Sequence, residues 1–180
     1  MQKNYIYKIL KNFYKKIPNT IAIEVDNKKI NYKKFFLDCL NFSNFLNFKK
    51  FKIVGIIGDY EYFSYVSIFG TLISGKLYVP INQNLPTKKI NKIISISKID
   101  VLAISKASEK KFRNIKIKKI NYENIIIKNK TFKKNINTSS NAYIIFTSGS
   151  TGEPKGVPIL KKSLFHYINW LKKNFIVKKN

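Results

Sequence analysis

Thr147-Ser148-Gly149-Ser150-Thr151-Gly152-Glu153-Pro154-Lys155-Gly156 brings hydroxyls, glycines and one ammonium together on a short stretch of chain. Glycine relieves the steric limits on φ, so backbone N–H groups can converge on an anion, while the hydroxyls and the lysine add donors of the right polarity. The apolar run Ala142-Tyr143-Ile144-Ile145-Phe146 enters this stretch directly, and the two together predict a strand running into a loop that handles a nucleotide. The generic phosphate loop reads G-x-x-x-x-G-K-[ST], and this one departs from it. Counted from Gly149, its second glycine position is Pro154 and the residue after Lys155 is Gly156, so the hydroxyl that would meet magnesium is absent. A Ser/Gly-rich surface turn would account for the composition but not for Pro-Lys-Gly at its end.

The order T-S-G-S-T-G-x-P-K-G resembles the phosphate-binding signature of the adenylate-forming enzymes. These AMP-producing synthetases and ligases include acyl-CoA synthetases, luciferases and the amino-acid-activating domains of non-ribosomal peptide synthetases. A second segment, Leu72 to Pro86, resembles that amino-acid-activating branch through Gly75, Tyr78, Val79, Pro80 and Pro86, with Asn82 where an aspartate is usual. Ile30 to Phe35 resembles a weaker segment nearer the family's amino terminus, with Asn31 in place of threonine and Phe35 in place of leucine. Tyr143 before the signature and Asn169-Trp170-Leu171 after it lean toward D-alanine-activating or other amino-acid-activating members. The resemblance implies ATP and magnesium as cofactors and a carboxylate substrate, an amino acid by branch, that becomes an acyl-adenylate with release of pyrophosphate. A phosphopantetheine thiol on a carrier protein is the implied acceptor. Lys155 and Thr147 are the implied catalytic residues, and Thr147, Ser148, Gly149, Ser150, Thr151, Gly152, Lys155 and Gly156 the implied nucleotide-binding set. Lys161 stands where the family usually has a histidine that shapes the acyl pocket.

The elements that must position this loop are legible from periodicity. Ile6, Ile9, Leu10, Phe13 and Ile17 mark a helix closed by Pro18. Ile21 to Val25 and Lys29 to Asn31 read as a hairpin around Asp26-Asn27-Lys28, followed by a helix over about 32–48. Ile53 to Ile57 is a continuous apolar run, the pattern of a strand covered on both faces. Phe63 to Ile73 predicts a helix, with Asp59 and Glu61 as acids at its amino terminus. Leu77 to Pro80 predicts a strand, and Pro86 a helix start continued by Ile90, Ile93, Ile94 and Ser97. Val101 to Ile104, Ile115 to Ile120 and Ile125 to Ile127 read as short strands, Asn135 to Asn141 as a loop, and Leu160, Leu164, Ile168, Leu171 and Phe175 as one face of a final helix. Strands alternating with helices predict an α/β fold with a parallel sheet flanked by helices, part of the amino-terminal domain of the adenylate-forming fold.

One domain over 1–180 is the natural count for this length, with the signature at 147–156. In the resemblance this material is about the first third of the enzyme. The segments that hold ribose and adenine, the hinge and the mobile carboxy-terminal domain have no counterpart, so the chain alone is expected to be catalytically silent and to need that carboxy-terminal portion as a partner. The alternatives are a non-catalytic remnant that binds ATP weakly and a basic nucleic-acid-binding protein.

The formal net charge is +26, from 35 basic residues of which Arg113 is the single arginine, against nine acids. A purpose-built nucleic-acid surface favours arginine for bidentate contacts and clusters its charge, whereas here lysine is spread through the chain, so no specific nucleic-acid partner is expected. Tyr62 to Gly75 is free of charge for 14 positions, short of the roughly 20 residues that cross hydrocarbon, so a buried helix and no membrane association are expected. No signal peptide is evident, and the default location is cytoplasmic. With one cysteine, Cys39, and one histidine, His166, neither a disulfide nor a protein-only metal site is expected. Any binding of a mixed-sequence oligonucleotide is therefore expected to be electrostatic and to weaken steeply, by orders of magnitude, between about 50 and 200 mM salt. A titration at the two concentrations checks this, and tight binding that persists at high salt would overturn it.

Overall fold

The computed structural model describes residues 5–25, 27–58, 61–121, 125, 139–148 and 153–174. Helix α1 (Tyr5–Lys16) turns Ile6 and Leu10 inward. A separate antiparallel hairpin of β1 (Ile21–Val25) and β2 (Lys28–Asn31) follows. Asn31 then caps α2 (Tyr32–Phe48), its Oδ1 accepting the Lys34 N–H at 2.9 Å. Threonine or asparagine can make this bond, so the departure at Asn31 keeps the cap.

The main sheet is built from β3 (Ile53–Ile57), β4 (Leu77–Ile81), β5 (Val101–Ala103), β6 (Lys119–Ile120), β7 (Asn141–Ser148) and β8 (Pro154–Leu160) in the order β6-β5-β3-β4-β7-β8. All neighbours are parallel except β7 and β8. Helix α3 (Tyr62–Ile73) joins β3 to β4, α4 (Thr87–Ser97) joins β4 to β5, and α5 (Lys161–Asn174) follows β8. Alternation along the strands sends side chains to two cores. Val54, Ile56, Tyr78 and Val101 pack with α1, α2 and α3 on one face, while Ile57, Val79, Ile81 and Leu102 pack with α4 on the other. Each large apolar side chain so buried contributes about 1.5–3 kcal/mol. Helix α3 is the uncharged stretch seen in the sequence. A Cβ on its Gly70 would lie 2.9 Å from the Cys39 carbonyl oxygen and from Phe42 Cβ, so the glycine permits the close approach of α2 and α3. No helix among the described residues is long and apolar enough to cross a membrane.

The sheet is mostly parallel as expected, with Pro154 to Leu160 added as an antiparallel edge strand. Pro158 is tolerated there since an edge strand can leave one side without ladder bonds. The strand expected over Ile115 to Ile120 shortens to Lys119–Ile120. Ile115 instead turns into the α4 core, and its N–H donates to Phe112 O. The last helix begins at Lys161, so Leu160 ends β8 and is 48% exposed. Glu61 occupies the N-cap of α3 without a side-chain capping bond. Asp59, the loop over 135–138, Ile126, Ile127 and Phe175 lie outside the described residues.

A lysine staples the amino-terminal end of the sheet. Gly75, at φ 76°, reverses the chain after α3, a conformation that glycine adopts without strain. Its carbonyl accepts the Ser139 N–H at 3.0 Å and the Lys161 Nζ at 2.7 Å, and Lys161 Nζ also donates to Ser139 O at 2.6 Å. Burial pulls the Lys161 ammonium down to about 8. The folded value is thus below the unfolded one of about 10.4, and the native state releases this proton first. Stability is expected to rise with pH through that window, with the gain complete above the unfolded value and lost as pH falls through about 8. Urea midpoints at neutral and alkaline pH check this: the difference between the wild-type chain and Lys161→Met should grow with pH, and a constant difference would refute it.

Candidate functional site

The strand order reverses direction around β3. From β3 the chain moves outward to β4, then returns across β3 to β5, with α3 on one face of the sheet and α4 on the other. Open sheets bind ligands at the carboxyl ends of strands beside such a switch point. A cavity of about 520 Å³ lies there, walled by Gly58 after β3, Ile81 and Asn82 at the end of β4, Phe146 and Thr147 near the end of β7, and Lys89 from α4.

The signature enters this edge as a hairpin. Thr147 is paired directly with Lys155 across the β7–β8 ladder, Ser148 with Pro154 and Phe146 with Gly156. Directly opposed residues share a face of the sheet, so the Thr147 hydroxyl and the Lys155 ammonium project from the same side. Both residues are exposed. Gly149, Ser150, Thr151 and Gly152, which span the tip between the strands, lie outside the described residues. Gly156 sits within β8, where a Cβ would come 3.0 Å from Phe146 Cζ and Ile144 Cγ2. Its missing side chain leaves room for Phe146 to lie across the strand and wall the cavity. Tyr78 and Tyr143 stack at 5.2 Å where β4 pairs with β7, and burial pushes the Tyr78 hydroxyl up.

Three further residues at this edge lie outside the expected nucleotide-binding set. Glu153, the variable position of the signature, forms an ion pair with Lys92 of α4, tying the stem of the loop to that helix. Lys89, one turn earlier and half-buried, reaches the cavity itself. Spacing alone hints at this, since Ile90 and Ile93 fix the buried face of α4 and so decide which lysines flank it. Asn82 uses its Oδ1 to accept the Asn84 N–H at 2.8 Å, a local turn bond that the usual aspartate could also make. Among the described residues no group of three His, Cys, Asp or Glu side chains could hold a metal ion. The acid beside the loop, Glu153, is engaged by Lys92, so these residues do not fit a protein-held magnesium. His166 lies exposed on α5, away from this edge, and Asn169 accepts the Tyr5 hydroxyl at 2.5 Å, joining α5 to α1.

Comparison with known proteins gives this geometry a lineage. The sequence model of the family described as AMP-binding enzyme matches residues 10–178. A mycosubtilin synthase polypeptide from Bacillus subtilis is 30% identical over 176 residues, covering 95% of this chain and 7% of that protein. D-alanine--D-alanyl carrier protein ligase from Staphylococcus haemolyticus is 32% identical over 108 residues, covering 59% of this chain and 22% of the ligase. Among solved structures, a fatty acyl-adenylate ligase from L. pneumophila, in complex with acyl adenylate and pyrophosphate, superposes with a TM-score of 0.83 at 20% identity. That match covers 98% of this chain and 34% of the ligase, so the chain corresponds to the amino-terminal part of the fold and spans about a third or less of the length of these relatives.

Proposed function

The chain belongs to the AMP-binding enzyme family, and from that premise we propose that it is the nucleotide-gripping part of an ATP-dependent ligase that activates a carboxylate, specifically an amino acid, as its acyl-adenylate. The observation that carries this reading is the register of the signature hairpin, which opposes Lys155 to Thr147, a residue that lines the switch-point cavity. In the reaction a carboxylate oxygen attacks the α-phosphorus of ATP. A new P–O bond forms as the bond to the pyrophosphate oxygen breaks, and the electron pair leaves with pyrophosphate. Catalysis of such a step rests on stabilising charge on the leaving group. Lys155 and the hydroxyls of Thr147, Ser148, Ser150 and Thr151 would supply donors to the β- and γ-phosphates, and Gly149 and Gly152 would let backbone N–H groups face them. The adenylate is then passed to a thiol, with a phosphopantetheine arm on a carrier protein as acceptor. The carrier and the amino acid are favoured by the peptide synthetase and D-alanyl carrier protein ligase relatives.

The 180-residue chain spans 34% of the structurally similar ligase, and adenine, ribose and acyl contacts are proposed to lie in the remainder of such an enzyme. Purified alone, it is therefore expected to form no AMP above a protein-free blank, and any sustained turnover would overturn that expectation. In a full-length protein carrying this sequence, amino-acid-dependent pyrophosphate exchange is expected, and Lys155→Ala should lower it about 100-fold or more, the scale of losing one donor to developing charge. Exchange left undiminished by Lys155→Ala would refute the assigned role.

A further inference from the structure

Parallel strands begin at one end of a sheet, so the turns that follow α2, α3 and α4 are gathered at the end opposite the cavity. There Ile53 is level with Leu77, Val54 with Val101 and Leu102 with Lys119. Lys118, Asp100, Lys52 and Lys76 therefore form one row across β6, β5, β3 and β4, at roughly 5 Å per step. Backbone bonds fix the row, with the Leu77 N–H donating to Lys52 O, the Asp100 N–H to Ile53 O and the Leu102 N–H to Lys118 O. Lys76 is buried, but Lys52 and Lys118 are exposed, as are Lys49 and Lys50 after α2 and Lys98 after α4. The acid of the row, Asp100, has one oxygen accepting the Lys52 and Ile53 N–H groups at 2.7 and 2.8 Å. Neither ion pair among the described residues involves an exposed lysine of this end.

Two features here serve no purpose in folding. Lys50 and Lys98 hold left-handed backbone, at φ 57° and 51°, where a helix end ordinarily takes glycine, so a cation is kept at two turns despite the strain. Phe48, the last residue of α2, is 74% exposed, and Ile96 in the last turn of α4 is 51% exposed. Cations near helix carboxyl ends complement the helix dipole, which accounts for a lysine after each helix but not for the bared apolar side chains. Lys49 Nζ lies over the Phe48 ring at 5.1 Å and Lys118 Nζ over the Phe51 ring at 5.4 Å, so cations and aromatic rings share one surface.

We propose that this end of the sheet docks on an anionic lipid surface, with the exposed lysines at the headgroups and Phe48 and Ile96 entering the acyl boundary. Helices α2 and α4 pack on opposite faces of the sheet, so the two apolar side chains flank the lysine row. A bilayer offers negative charge and hydrocarbon together, and both are matched here. A polynucleotide would satisfy the charge but offers Ile96 nothing. The sequence, read for a spanning segment, predicted no membrane association; peripheral contact requires no such segment. Docked in this way, the chain turns the switch-point cavity away from the bilayer, because the cavity lies at the carboxyl ends of the same strands.

Cosedimentation of the 180-residue chain with phosphatidylcholine vesicles, with and without about 30% phosphatidylserine, at about 150 mM salt tests this. Lys50→Gly with Lys98→Gly removes two charges while giving both turns the residue that their backbone favours. Partitioning onto the phosphatidylserine vesicles should then fall about 25-fold, at about fivefold per lysine. Lys33→Gln with Lys88→Gln makes the same charge change near the amino ends of α2 and α4 and should weaken it no more than about twofold. Phe48→Ser should weaken it about tenfold. In a Trp170→Phe background, which removes the one tryptophan, Phe48→Trp should shift its emission to the blue on phosphatidylserine vesicles and not on phosphatidylcholine alone. Equal losses in the two lysine pairs, full binding by Phe48→Ser or an unshifted tryptophan overturns the proposal. A mixed-sequence oligonucleotide that loses affinity in the Lys50 and Lys98 variant, while vesicle binding persists, assigns this end to nucleic acid and overturns it as well.

Discussion

Parallel strands cannot be joined by tight turns, and each crossover must be right-handed. With β4 on one side of β3 and β5 on the other, these rules send α3 and α4 to opposite faces of the sheet and leave the carboxyl ends of β3 and β4 uncovered between them. The cavity is a consequence of that topology. Gly58, Asn82 and Thr147 come from distant parts of the chain, yet each follows or ends a strand whose neighbour in the sheet supplies the next wall. The two cores hold the arrangement, since strands buried on both faces cannot slip register without exposing a whole set of apolar side chains.

The antiparallel β8 changes what the signature is. In a purely parallel sheet the loop after β7 would lead into a helix, and helix geometry would present its backbone N–H groups to the ligand. Here the chain doubles back, so Lys155 is placed by ladder pairing with Thr147. The loop is held at its stem by two further contacts, the Glu153–Lys92 ion pair to α4 and the packing of Phe146 over Gly156. An exposed ion pair contributes at most about 1 kcal/mol, so the apolar contact and the ladder bonds carry most of the positioning.

The excess of lysine acquires local meaning at this edge. Across most of the surface the charge is unpaired, and the described residues hold only two ion pairs. Around the hairpin, however, Lys89 lines the cavity, Lys155 opposes Thr147 and Lys92 pairs with Glu153, so three ammonium groups meet one acid among the described residues. Low-dielectric walls such as Phe146 and Ile81 strengthen the attraction of such a site for anions. At the other end of the sheet the Lys161 ammonium donates to two backbone carbonyls.

Local patterns carried a large part of this protein. The hairpin over 21–31, the helix over 32–48 and the strand over 53–57 follow from periodicity and turn residues, because such elements are specified by contacts within a few residues of each other. The signature was legible for the same reason, its chemistry being contiguous in the chain, and the family match bears out the resemblance it carried. Three features depended on tertiary structure. Pro154 to Leu160 became a strand because an edge partner supplied ladder bonds that its glycine and prolines do not favour alone. Ile115 left its expected strand because the α4 core offered it burial. Gly58 and Lys89 came to line one cavity with Thr147 only through the reversal of strand order, a choice made by packing helices on two faces of one sheet, which no local spacing records.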